Sequence, residues 1–169
     1  MCLTYTDRKI LPVIINVHGG GLIIGNKEFN RYFCALLCKK GFLVYSIEYR
    51  LIPDCLIYDQ IADVFMAMDY IKERLAADGG DSSHVYMAGD SGGACLITYV
   101  NAIQNSTNIA RAANVTPSGL PFITRIIRDC IFINVPFRGL LIFKTIVLLI
   151  PFFYRRVTLS GIPFGSMSE

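Results

Sequence analysis

The run Leu11–Val17 is short, apolar and rich in β-branched residues, and it stops at the glycines of positions 19–21. An unbroken apolar run of this length fits a strand buried on both faces, as in a parallel sheet covered by helices. The pattern then changes period. Phe29, Tyr32, Phe33, Leu36 and Leu37 recur at helical spacing, with Lys39 and Lys40 in the last turn and Gly41 as a stop. Residues 42–47 read as a second buried strand. Ile57, Ile61, Val64, Met68, Ile71 and Leu75 mark a second helix, ended by Gly79 and Gly80. Residues 85–89 read as a third strand, and residues 94–103 are apolar on most sides, as a helix packed deep against a sheet would be. Alternation of strand and helix predicts a parallel sheet with helices on its faces. Residues 105–121 read as a polar loop, and residues 123–135 as one more strand, interrupted by Arg125, Arg128 and Asp129.

With 169 residues and 53% hydrophobic content, the chain can bury one core. Its net charge of +3 is too small for a nucleic-acid binder. The charge is unevenly spread: residues 1–109 hold nine basic and eleven acidic side chains, whereas residues 110–169 hold seven basic ones against Asp129 and Glu169. One folded core is therefore expected over residues 1–135, with residues 136–169 as an apolar, basic tail. Within it, residues 140–154 are almost continuously apolar but carry Lys144 and Pro151, and they fall short of the roughly 20 residues of a bilayer crossing. Contact with a membrane surface is the functional reading of that segment, and a buried element the plain one.

The six cysteines form no Cys-x-x-Cys pair and have no clustered histidines or carboxylates beside them, so they read as buried free thiols with no metal expected. Free thiols, and an N-terminus without the pattern of a signal peptide, suit a cytoplasmic protein. Oligomeric state is left open.

Two glycine motifs carry the chemistry. Gly89-Asp90-Ser91-Gly92-Gly93 lies between the third strand and its apolar helix, the setting of a nucleophile elbow. There a serine in a strained turn is exposed beside the amides of a helix start, which favour developing negative charge. Read alone, the pentapeptide is equally a glycine-rich turn with a capping serine. The second motif, His18-Gly19-Gly20-Gly21, follows an earlier strand, where glycines let backbone N–H groups face a cavity unobstructed and hold an oxyanion. A phosphate loop is excluded by the missing Walker lysine and the absence of a Gly-x-Gly-x-x-Gly pattern.

With both motifs in this order, the chain resembles the hormone-sensitive-lipase-like branch of the α/β-hydrolases, the carboxylesterase and acetyl-esterase group. Glu48-Tyr49-Arg50-Leu51 with Pro53, and the helix bearing Asp63, also match that family. The resemblance covers about residues 8–135. It implies a three-layer α/β-hydrolase core with a mostly parallel sheet, incomplete at both ends, and a hydrolase of small-molecule esters with short acyl chains that needs no cofactor. It implies Ser91 as nucleophile, the N–H groups of Gly20, Gly21 and Gly92 as the oxyanion hole, and His18 as a structural residue of the loop.

The base and acid of such a site follow the serine in this family, and no histidine follows His84 here. His84 precedes the strand whose far end carries Ser91, roughly 16 Å away at about 3.3 Å per residue. Asp129 and Glu169 match no family position. The chain alone is therefore expected to be weak or inactive, with both ends cut and the tail foreign to the family, as in a truncated or frame-shifted product. The alternative is a non-catalytic, hydrolase-like binding or membrane-associated protein.

Overall fold

A computed structural model describes residues 10–120, together with the backbone of two short strands at Cys2–Leu3 and Ile127–Asp129. The element order is β1 (Cys2–Leu3), β2 (Leu11–Val17), α1 (Arg31–Lys39), β3 (Leu43–Ile47), α2 (Ile57–Arg74), β4 (Gly80–Asp90), α3 (Ser91–Gln104), α4 (Thr107–Ala113) and β5 (Ile127–Asp129). The strands form one sheet in the order β1-β3-β2-β4-β5. β2 lies between β3 and β4 and is parallel to both, β5 is parallel to β4, and β1 runs antiparallel on the β3 edge. This is the mostly parallel sheet expected for an α/β-hydrolase.

Strand alternation divides the core. Val13, Ile15 and Val17 of β2, Leu43, Tyr45 and Ile47 of β3, and Val85 and Met87 of β4 pack against α2 and α3 through Ile61, Val64, Met68, Leu96, Ile97 and Val100. The opposite side chains, Ile14, Val44 and Ala88, meet Cys34 and Cys38 of α1. Helices therefore cover both faces, which explains why β2 and β3 lack apolar–polar alternation.

Several expectations change. α1 does not bury Phe29, Tyr32, Phe33 and Leu36, which are all exposed; its inner stripe is Cys34, Leu37 and Cys38. Phe29 precedes the helix, so its spacing to the later aromatics is not a helical one. The small thiol side chains let α1 lie close to the sheet. Not every cysteine is buried, since Cys55 is half-buried and Cys95 exposed. β4 starts at Gly80, five residues before the apolar stretch, and joins β2 through a register shift between Leu11 and Val13. The expected loop after residue 105 contains α4. The Ser106 hydroxyl caps its first turn by accepting the Ile109 N–H, and Asn114 ends it in the left-handed conformation. β5 falls within the strand expected at 123–135; the apolar segment 140–154 and the tail 136–169 lie outside the described residues.

Candidate active site

β2 and β4 are neighbouring parallel strands, and their register pairs Val17 with Gly89. The two glycine motifs therefore leave the sheet side by side at its C-terminal edge. The chain passes from β2 to β3 on one side, and α2 then carries it back across to β4 on the other. In open α/β sheets, ligands bind at such a reversal.

At the elbow, Ser91 has φ 45°, one of three non-glycine residues with positive φ among those described. Its side chain is exposed at the first position of α3. The glycines around it are required by close approach. A Cβ on Gly89 would lie 2.8 Å from the Val17 carbonyl oxygen, and one on Gly93 would fall on the carbonyls of Val17 and His18. A Cβ on Gly92 would stand 3.0 Å from the Leu22 amide nitrogen and 3.2 Å from that of Gly21. The amides of the glycine loop thus face the residue that follows Ser91.

That loop is a chain of left-handed residues, with φ 114° at Gly20, 61° at Gly21 and 71° at Leu22. Ile23 and Ile24 N–H groups close it on the Gly20 carbonyl at 3.2 and 3.1 Å. Successive positive-φ residues turn neighbouring N–H groups into one concavity suited to an anion. Beneath it His18 is fully buried. Its Nδ1 donates to the Gly19 carbonyl at 2.8 Å, and its Nε2 faces Glu48 Oε1 at 3.2 Å. The ring stacks on Tyr49 with centroids 4.3 Å apart, and the Tyr49 hydroxyl donates to the His18 carbonyl at 2.8 Å. Burial, with the charges of Asp90 and Glu48 adding to it, pushes the Tyr49 phenol well above its ordinary value, so it remains a donor. Both ring nitrogens of His18 are thus engaged, one by the loop itself and one by the turn after β3.

Sequence reasoning missed the residue that joins the two motifs. Asp90 Oδ1 accepts the Gly19 N–H at 3.0 Å and Asn30 Nδ2 at 2.7 Å. Asn30 also reaches Asn16 Oδ1 at 3.4 Å, Asn16 Nδ2 reaches Ser46 Oγ at 3.3 Å, and Ser46 donates to the Lys27 carbonyl at 2.7 Å. A largely half-buried network thus ties the elbow to the loop and to the start of α1. One signal was present: Asn16 interrupts an otherwise apolar strand, and a fully buried amide requires partners.

Ser91 and Gly92 at the start of α3 are brought against Gly21. His84 is not brought to this edge. It is exposed in the first half of β4, its Nδ1 2.8 Å from Asp81 Oδ2 and 3.1 Å from Ser83 Oγ. The Ser83 hydroxyl and amide, then His84, hold the Asp81 carboxyl down at about 2. Among the described residues, no group of His, Cys, Asp and Glu is arranged to hold a metal ion. None of the described helices is long and apolar enough to cross a membrane.

Fold and strand-end loops together define an α/β-hydrolase. The BD-FAE family model matches residues 2–120, and the chain belongs to this family of α/β-hydrolase esterases. A probable isoprenylcysteine alpha-carbonyl methylesterase of rice (Oryza sativa subsp. japonica) is 37% identical over 90 residues, covering 53% of this chain and 21% of the relative. An amyloplastic tuliposide A-converting enzyme of Tulipa gesneriana is 31% identical over 120 residues, covering 64% and 32%. Of solved structures, esterase B from Lactobacillus rhamnosis superposes with a TM-score of 0.66 at 31% identity over 70% of this chain and 38% of that one. A bacterial heroin esterase gives 0.53 at 32% identity over 64% and 32%. The chain thus spans 21–32% of the length of the curated relatives named.

Proposed function

We propose that this chain carries the nucleophile and oxyanion half of a carboxylic-ester hydrolase site, with Ser91 as nucleophile. The observation that carries this reading is the approach of the Gly21 and Leu22 amides to Gly92, directly after a serine in left-handed geometry. In the proposed step the Ser91 Oγ attacks the ester carbonyl carbon. The carbonyl π electrons move to oxygen, and the N–H groups of Gly20, Gly21 and Gly92 receive that charge at the N-terminus of α3. Donors fixed beforehand favour the tetrahedral state over the planar ester. The substrate class is small esters with short acyl chains. In support, esterase B has been solved as an inhibited complex described as a tributyrin phosphonate.

The hydroxyl proton needs an acceptor. The sequence holds two histidines, His18 and His84. The first is buried with both nitrogens engaged, and the second lies toward the other end of β4. Losing the base of such a site costs a factor of about 10⁶ in turnover, so this chain by itself is a very slow esterase. Losing the serine costs about as much, and turnover alone therefore identifies neither group. Covalent labelling does. A fluorophosphonate should modify Ser91 slowly, with the adduct mapped by mass spectrometry and absent in Ser91→Ala. Labelling of other serines only, or rapid ester turnover by the chain, would count against this reading. We further assign residues 1–135 to the hydrolase core and 136–169 to a separate tail, so removing the tail should leave Ser91 labelling unchanged.

A further inference from the structure

Gln60 lies on the inner side of α2, fully buried, where the helix otherwise presents Ile57, Ile61 and Val64 to the core. Its Nε2 donates to the Leu22 carbonyl at 2.9 Å and to the Arg50 carbonyl at 2.8 Å, using both amide hydrogens. The Ile52 N–H also donates to the Leu22 carbonyl, at 3.0 Å, so that oxygen has two partners. Gln60 Oε1, in contrast, is buried without a partner among the described residues. A half-satisfied amide is unfavourable in a core, and an apolar side chain of equal size would avoid that cost. The two carbonyls it holds therefore need explaining.

Leu22 supplies the explanation. It is a side-chain-bearing residue with φ 71°, in a conformation that L-residues seldom adopt without external restraint. Its amide nitrogen and that of Gly21 are the two facing Gly92. With its carbonyl held back toward α2, the peptide planes before it keep their N–H groups turned forward to the elbow. The other contact is fixed as well. The Arg50 guanidinium and N–H bind the Asp63 carboxylate, one turn beyond Gln60 on the same helix, at 2.8 to 3.2 Å. Helix α2 therefore grips the turn after β3 at two points and the glycine loop at one.

We propose that Gln60 is a positioning residue for oxyanion stabilisation, its side-chain amide holding the Leu22 carbonyl so that the glycine loop keeps the Gly21 N–H, one of the proposed oxyanion donors, against the Ser91–Gly92 junction. The proposal rests on the esterase reading above. Its test uses the full chain with a fluorophosphonate, whose phosphoryl oxygen takes the oxyanion position. The Ser91 Oγ–P bond forms as P–F breaks, fluoride leaves, and the hydroxyl proton passes to solvent. Gln60→Glu keeps the shape and leaves at most one donor for two carbonyls; Gln60→Met keeps the bulk and is apolar. In both, the limiting labelling rate should fall by about tenfold to a hundredfold, the scale of misplacing groups by an ångström, while half-saturating probe concentration stays unchanged. A limiting rate equal to wild type in both variants overturns the proposal while leaving the esterase reading intact. A wild-type chain never labelled at Ser91 overturns both. Wild-type NMR gives a readout independent of variant folding: the Gln60 side-chain amide protons should be strongly protected from exchange, and exchange as fast as in a free primary amide contradicts the proposal.

Discussion

At Gly93 a methyl group would fall on the carbonyl oxygens of Val17 and His18. Alanine normally favours a helix interior over glycine by about 1 kcal/mol. Here the backbone clash outweighs that gain, and Gly93→Ala should lower stability by at least about 2 kcal/mol, read as a shift in urea midpoint. Asp90→Ala removes the acceptor of the Gly19 N–H and one of the two acceptors of the Asn30 amide, a cost of about 1–3 kcal/mol, and should slow Ser91 labelling; Asp90→Asn keeps an acceptor and should do less. At this scale the sequence exposed residue types. Ser91, His18 and the glycines are legible because a strained turn and a close approach demand them. The partners of Asp90 are not, because Asn30 and Gly19 lie 60 and 71 residues from it and meet it only when β2 and β4 pair.

Among the elements, β2 carries the fold, lying between β3 and β4 with helices over both faces. Ile15→Ala on its inner face removes a fully buried side chain and should cost about 2–5 kcal/mol in denaturant unfolding. Strands and long helices were readable because burial on two faces and a helical stripe each leave a period. The inner face of α1 was misread because its buried thiols are outnumbered by aromatics that stay outside. α4 was missed because seven residues offer no periodicity, although Ser106 and Asn114 mark both its ends. β4 also carries a pH-dependent turn. Asp81 titrates at about 2 in the fold against about 3.9 unfolded, so its stabilising contribution is complete above pH 4 and disappears as pH falls toward 2. The stability difference between wild type and Asp81→Asn should therefore be constant at neutral pH and vanish in that acidic window.

For the whole molecule, strand–helix alternation anticipated the parallel sheet, and the two glycine motifs anticipated the edge at which the site forms. Their convergence needed the strand order, since only β2 beside β4 sets Val17 level with Gly89. The proton acceptor is a question of the same scale: His18 is buried with its ring nitrogens at Gly19 and Glu48, and His84 is exposed in the first half of β4 beside Asp81. On the proposed reading, an oxyanion concavity without a base should react covalently with an activated phosphorus electrophile far faster than it turns over an ester. The direct measurement is mass-spectrometric mapping of the full chain after prolonged fluorophosphonate exposure, with 4-nitrophenyl butyrate turnover followed on an untreated aliquot of the same preparation. A single adduct on Ser91 with barely detectable turnover is expected; an unmodified Ser91, or rapid ester hydrolysis, would contradict the esterase-half reading.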